Sequence, residues 1–221
     1  MSVWQSFWRS RLCSTREPIA FASIRGCWAI AADRRPRVSE RTWRFKLQYD
    51  PADIPELVKK YMASEEEKER RMEAAGEAIR AGDLTRHNLI TICKWKSPRR
   101  IALVAKNTDA EIEGALRSAL HAIDVRKAVT SLVELHGVGV KMASAILTAI
   151  DPERYTVLDV RALEALGVAN GESLDLYVSY LDACQRISRE CRVKMRDFDR
   201  SNWQWSKLKA KMKTGATYSG H

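Results

Sequence analysis

Leu132-Val133-Glu134-Leu135-His136-Gly137-Val138-Gly139-Val140-Lys141-Met142-Ala143-Ser144-Ala145-Ile146-Leu147 is the stretch from which the rest of this chain is read. Leu135 closes one apolar-periodic run, and Ala143, Ile146 and Leu147 sit at helical spacing in the next. Two glycines bracket Val138, so a tight turn using positive φ joins two helices. Val138 is expected to plug the gap between them. Such a turn aims backbone N–H groups and a helix N-terminus outward, which suits a phosphate. An apolar residue between the glycines, flanked by helices in a basic chain, is a stronger signal than glycine spacing alone.

The basic balance is marked. The 221 residues carry a net charge of +10, which calls for a polyanionic partner or a basic tail. Lysines and arginines that neutralise phosphates release counterions, so nucleic acid is the first candidate. Nearly half of the residues are apolar, enough for a core and too many for a disordered chain. Five scattered cysteines, with no CxxC or Cys/His pair, read as reduced thiols, with neither zinc nor an iron–sulfur site. No apolar run reaches the ~20 residues of a membrane span. A cytoplasmic location without membrane association is expected.

Outward from the hairpin, the chain from Asp50 on reads as helical. The pattern predicts a helix over Pro51 to Met62 and a second, charged helix opened by a capping box at Ser64 and running to about Ala81. Further helices are expected from Leu84 to about Trp95, from a Thr108 cap through Leu120, and from about Asp124 to Leu135. Tyr155-Thr156-Val157-Leu158 is the only β-rich run, and it is short. The fold class is all-α. Residues 1–45 contain no lysine and carry Trp4, Trp8 and Trp28 without periodicity. Arg-rich, acid-poor composition of this kind fits an organellar transit segment or a poorly ordered, non-native extension; the second reading is taken, leaving 46–221 as the helical domain.

Leu135 to Leu147, with its continuation to Gly167, resembles the helix-hairpin-helix and Gly/Pro/Asp signature (HhH-GPD) of the endonuclease III-like DNA glycosylases. In that family a lysine stands two residues after the hairpin in members that also nick the strand, and an aspartate follows further on. Lys141 and Asp159 occupy those positions here, 18 residues apart. The resemblance implies a two-lobed helical fold with a DNA-binding cleft, and His136, Gly137, Val138 and Gly139 on a DNA backbone. His136 stands where the family usually has proline. Val160, Arg161 and Glu164 replace its usual Thr-His and later Arg. The four-cysteine cluster found in many members is missing, so no cofactor is implied.

The residue types suit the chemistry. Cleaving an N-glycosidic bond builds positive charge on the sugar, which a desolvated carboxylate such as Asp159 stabilises. A lysine amine such as Lys141 can attack C1′ and form a Schiff base, after which β-elimination nicks the strand. The target base is first flipped out of the stack. Singly, each residue has a plainer role: Lys141 as a phosphate contact, Asp159 as the cap of the helical run from Val160. In Lys94-Trp95-Lys96-Ser97-Pro98-Arg99-Arg100, Trp95 is a stacking candidate, and Lys96 and Arg99 are phosphate contacts; a buried Trp at a helix end is the alternative. The basic tail from Arg186 to Lys213 would pack Trp203 and Leu208 inward and leave Lys207, Lys209, Lys211 and Lys213 for phosphates. Cys184 and Cys191 are expected on the core side of a helix. The expected activity is excision of a damaged or modified base from double-stranded DNA by a monomer, in base-excision repair or in defence against modified phage DNA. A non-catalytic helix-hairpin-helix DNA-binding module is the other reading.

Overall fold

The computed structural model describes residues 43–216, with side chains through Met212. The expected extension therefore falls almost entirely outside the described residues. Its last three positions do not belong to it: Trp43 and Phe45 pack against the core, Phe45 edge-on to Tyr180 at 6.1 Å. The N–H groups of Lys46 and Gln48 donate to the carbonyls of Leu166 and Ala165 (3.0 and 2.9 Å), tying this extended entry segment to a helix end that would otherwise lack partners.

All regular structure among the described residues is helical. The helices are α1 (Ile54–Arg80), α2 (Arg86–Lys96), α3 (Ile101–Val104), α4 (Asp109–Leu120), α5 (Val125–Val133), α6 (Val140–Ile150), α7 (Val160–Ala165), α8 (Leu174–Glu190) and α9 (Met195–Ala216). Single 3₁₀ turns at Pro51–Asp53 and Pro98–Arg100 precede α1 and α3. Among the described residues no helix is long and apolar enough to cross a membrane. Side chains from every one of these helices meet in one buried cluster, whose middle is α6: its residues Met142 to Ile150 are all buried.

Two expected helices are one. α1 runs unbroken for 27 residues through the Ser64 position, because Ser64 Oγ donates back to the Tyr61 carbonyl (3.2 Å) instead of capping a new start. The Thr108 cap is as expected: its hydroxyl accepts from Glu111 N–H while the Glu111 carboxylate accepts from Thr108 N–H. Ile112, Ala115, Leu116 and Ala119 form the buried stripe of α4. Residues 155–158 are extended but pair with no strand. Side chains satisfy this backbone instead: Tyr177 and Tyr180 hydroxyls donate to the Thr156 and Val157 carbonyls, and Leu158 N–H donates to Ser144 Oγ (2.8 Å). Cys184 is fully buried on α8, as expected; Cys191 is half-buried at its C-cap and is not a core position.

α1 and α6 cross at Gly76. A Cβ there would lie 2.0 Å from the Ala149 carbonyl oxygen, so only glycine allows this approach. Gly76→Ala removes an unfavourable helix residue, a gain of at most ~1 kcal/mol. The backbone clash outweighs it, at about 1–3 kcal/mol. A net loss of stability in urea titration is expected; a stabilised variant would contradict the crossing.

Candidate active site

α5 and α6 flank the hairpin. Val138 is 5% exposed and fills the space between the helices, as the sequence suggested. The glycines differ from that reading. Gly137 takes φ +81, whereas Gly139 is the N-cap of α6 at φ −96, open to any residue by conformation. α3, which the sequence did not reveal, backs the turn: a Cβ on Gly137 would meet Leu103 Cβ at 2.8 Å. Asn107, 3% exposed, clamps the turn from behind, accepting from His136 N–H (2.7 Å) and donating to the His136 carbonyl (3.1 Å). His136 itself is exposed. No side chain caps α6, so its first N–H groups lack that partner. A carboxylate lies beside the N-cap: Glu172 Oε1 sits where it would be 2.4 Å from a Cβ on Gly139.

The connection from hairpin to pocket is short. Ser144, one turn into α6, donates to the Lys141 carbonyl and accepts from Leu158 N–H, which fixes the segment ending at Asp159. Asp159 caps α7 with one oxygen, Oδ1, which accepts from Arg161 N–H (2.9 Å). The other, Oδ2, accepts from Lys96 Nζ at 2.6 Å. The helix-cap role and a second role thus coexist on the two oxygens. The Lys96 and Asp159 side chains are 11% and 24% exposed, so their attraction is much less screened than a surface pair's. Burial pushes the Asp159 carboxyl up, but the Lys96 ammonium and its hydrogen bond, helped by Arg161 N–H and the charge of Lys141, hold it below the ordinary carboxylate value. It is a carboxylate at neutral pH.

Lys141 is not the amine at this carboxylate. Its Nζ donates to Asn170 Oδ1 (2.6 Å), in the loop before α8, and it does not line the pocket. The reason is positional: α6 starts at the hairpin surface, so its second residue points along that surface toward the 168–173 loop. Arg99 is exposed on the turn after α2 and also lies outside the pocket.

The pocket has a volume of about 190 Å³, below the ~300 Å³ at which sites for drug-sized ligands begin, so it suits a single ring system. Tyr61, Trp95 and Trp203 are its aromatic lining; Lys96, Asp159, Arg196 and Asp199 supply charge. Tyr61 and Trp203 meet edge to face at 5.3 Å, and Arg161 and Lys207 each lie over the Trp203 ring. Trp203 is therefore half-exposed pocket wall instead of core filler. Lys207 pairs with Glu65 (3.5 Å) and Lys209 with Glu164 (3.1 Å), so these two tail lysines are not waiting for phosphates. Lys211 also has an internal partner, and the Lys213 side chain lies outside the described residues.

Glu69 organises the pocket and went unnoticed in the sequence. It is fully buried; Oε2 accepts from Tyr61 OH (3.0 Å) and Trp95 Nε1 (3.1 Å), and Oε1 accepts from Arg196 and from Arg200 (3.1 Å). Two aromatic walls and two arginines are thus oriented by one carboxylate. The signal was available: Glu69 and Met72 continue the buried face of α1 at i+8 and i+11 from Tyr61. Asp199 pairs with Arg196, yet burial, with the Glu69 carboxylate adding to it, pushes its carboxyl up to about 6. Among the described residues no group of three or more His, Cys, Asp or Glu side chains is gathered as metal ligands would be. Comparison of the chain with protein-family models, curated proteins and solved structures gave no match.

Proposed function

We propose that this chain is a DNA glycosylase of the helix-hairpin-helix (HhH-GPD) type that excises a damaged or modified base flipped from double-stranded DNA. The observation that carries the reading is Asp159: a carboxylate kept ionised by Lys96, in an aromatic-lined pocket of single-ring size, on a segment hydrogen-bonded to the hairpin helix. The hairpin grips a backbone phosphate, and the extruded base enters the pocket walled by Tyr61, Trp95 and Trp203. As the C1′–N bond lengthens, Asp159 faces the growing positive charge on the sugar and needs no reorganisation to stabilise it. The chain acts as a monomer in base-excision repair or in defence against modified phage DNA. The decisive experiment incubates full-length protein with duplexes bearing a panel of lesions, develops abasic sites with alkali, and runs Asp159→Asn beside the wild type. Duplex binding by both proteins without base release by either would leave only a non-catalytic DNA-binding module.

The hairpin's anion seat is contested in the free protein. Glu172 holds a carboxylate against Gly139, at the N-terminal end of α6 where a helix dipole attracts negative charge at about 0.3–1 kcal/mol. Glu172→Gln should therefore tighten duplex binding at low salt by roughly 2–5-fold, the factor to which that energy corresponds. Unchanged or weaker binding of the variant, measured by fluorescence anisotropy, would remove the hairpin from the phosphate contact.

A further inference from the structure

We infer that Lys96, from α2, and not Lys141 of the hairpin helix, is the amine that forms a covalent bond with the sugar and gives the protein strand-nicking activity. The inference rests on the glycosylase reading and adds a residue and a reaction to it. Three observations carry it. Lys96 Nζ is 2.6 Å from Asp159 Oδ2, an oxygen of the carboxylate on which the proposed excision depends. Both side chains line the same pocket, together with Tyr61, Trp95 and Trp203. Lys141 is withdrawn from that role by its bond to Asn170 and does not line the pocket. The hairpin lysine thus bonds Asn170 instead, and the adjacent helix delivers the only lysine amine bonded to Asp159 among the described residues.

The chemistry balances without a cofactor. The Lys96 ammonium gives one proton to the departing base, which leaves neutral with the electrons of the C1′–N bond. The freed amine lone pair bonds to C1′, giving a secondary ammonium. A second proton passes to O4′ as the C1′–O4′ bond breaks and the lone pair on nitrogen closes the C=N bond, so a protonated Schiff base and a 4′-hydroxyl result. Loss of a C2′ proton to a base then expels the 3′-phosphate with the C3′–O electron pair, which nicks the strand. Water hydrolyses the conjugated imine and restores Lys96. Asp159 Oδ2 holds the ammonium until the sugar arrives and then faces the iminium, so the same carboxylate serves both charges. Arginine at position 96 would preserve the ion pair but cannot form a Schiff base, because it stays protonated.

The test is reductive trapping with borohydride on a duplex containing a single abasic site, which bypasses excision. Wild type, Lys96→Arg and Lys141→Ala are compared, and the wild-type adduct is located by peptide mass spectrometry, a readout that needs no variant to fold. The expected result is an adduct on the peptide carrying Lys96, retained in Lys141→Ala and lost in Lys96→Arg. An adduct mapped to Lys141 or any other residue, or one that persists in Lys96→Arg, overturns the inference. So does a wild type that gives no adduct. In that last case the alkali-developed release assay separates the two levels: bases released without trapping leaves the glycosylase reading standing as a monofunctional enzyme, and release of none removes both.

Discussion

Asp159→Asn is expected to lower base release by about 10²–10³-fold, the usual consequence of removing one preorganised electrostatic group from a water-poor site. The substitution is chosen to isolate charge. Asparagine is as good an N-cap as aspartate, so its single amide oxygen keeps the start of α7, while its NH2 stands where the second carboxylate oxygen accepted from Lys96. What disappears is the negative charge opposite the sugar. The accompanying loss of stability is that of one charge-assisted hydrogen bond, about 1–2 kcal/mol, well short of what unfolds a domain. A circular-dichroism melt beside the release assay separates the effects: a variant that melts near the wild type yet has lost excision supports the role, and a folded variant with full activity removes Asp159 from the chemistry. The pH dependence has a definite sign. The folded Asp159 carboxyl lies below its ordinary value, so the pair's contribution is present above the unfolded value of ~3.9 and fades only as pH falls through the lower, folded one. Excision should therefore keep its carboxylate at pH 5, where an unperturbed group would begin to lose it.

Arg196→Met should produce the largest loss of stability, about 3–5 kcal/mol, because it leaves buried carboxylates without their shared cation. Arg196 bonds both Glu69 and Asp199, and all three residues are buried. Arg200 still reaches Glu69, whereas Asp199 loses its bonded cation. For a domain of this size the change corresponds to a fall in Tm of roughly 10 °C or more. Arg71→Ala, which breaks a fully exposed pair with Glu67, is the control and should move Tm hardly at all. Equal melting of the two variants would show that the Glu69 network is not structural. Asp199 adds a pH signature opposite to that of Asp159. Its carboxyl is pushed up to about 6, so between roughly pH 4 and 6 the folded protein holds a proton that the unfolded chain has released. Its contribution to stability falls as pH rises through that window, and Asp199→Asn should flatten the decline.

Where local chemistry decided an element, the sequence displayed it. The Thr108 cap, the Val138 plug and the Asp159 cap each involve neighbours within a few residues, so spacing alone locates them. Where two elements had to meet, spacing was not enough. Ser64 resembled a helix start because its neighbours are acidic, but the buried face of α1 continues through Tyr61, Glu69 and Met72 and kept the helix whole. Glu69 sat in an acidic run that reads as a solvated face, and only contact with α2 and α9 made it the pocket's organiser. The clamp of Asn107 on His136 crosses 29 residues and leaves no local trace.

The amine shows the same division most clearly. The family resemblance singled out Asp159 by its 18-residue step from Lys141, which lies in one continuous stretch of chain. It could not select the lysine beside this carboxylate, because that choice depends on which helix end comes to rest against Asp159. Lys96 is 63 residues away in sequence and 2.6 Å away in space, while Lys141, close in the motif, turns outward to Asn170. The sequence by itself determined the all-helical class, the hairpin turn and the Asp159 cap, because backbone capping and apolar periodicity act over one or two helical turns. The tertiary structure decided the partner of that carboxylate, the walls of its pocket and the carboxylate beside the hairpin, because each depends on how helices distant in the chain pack around α6.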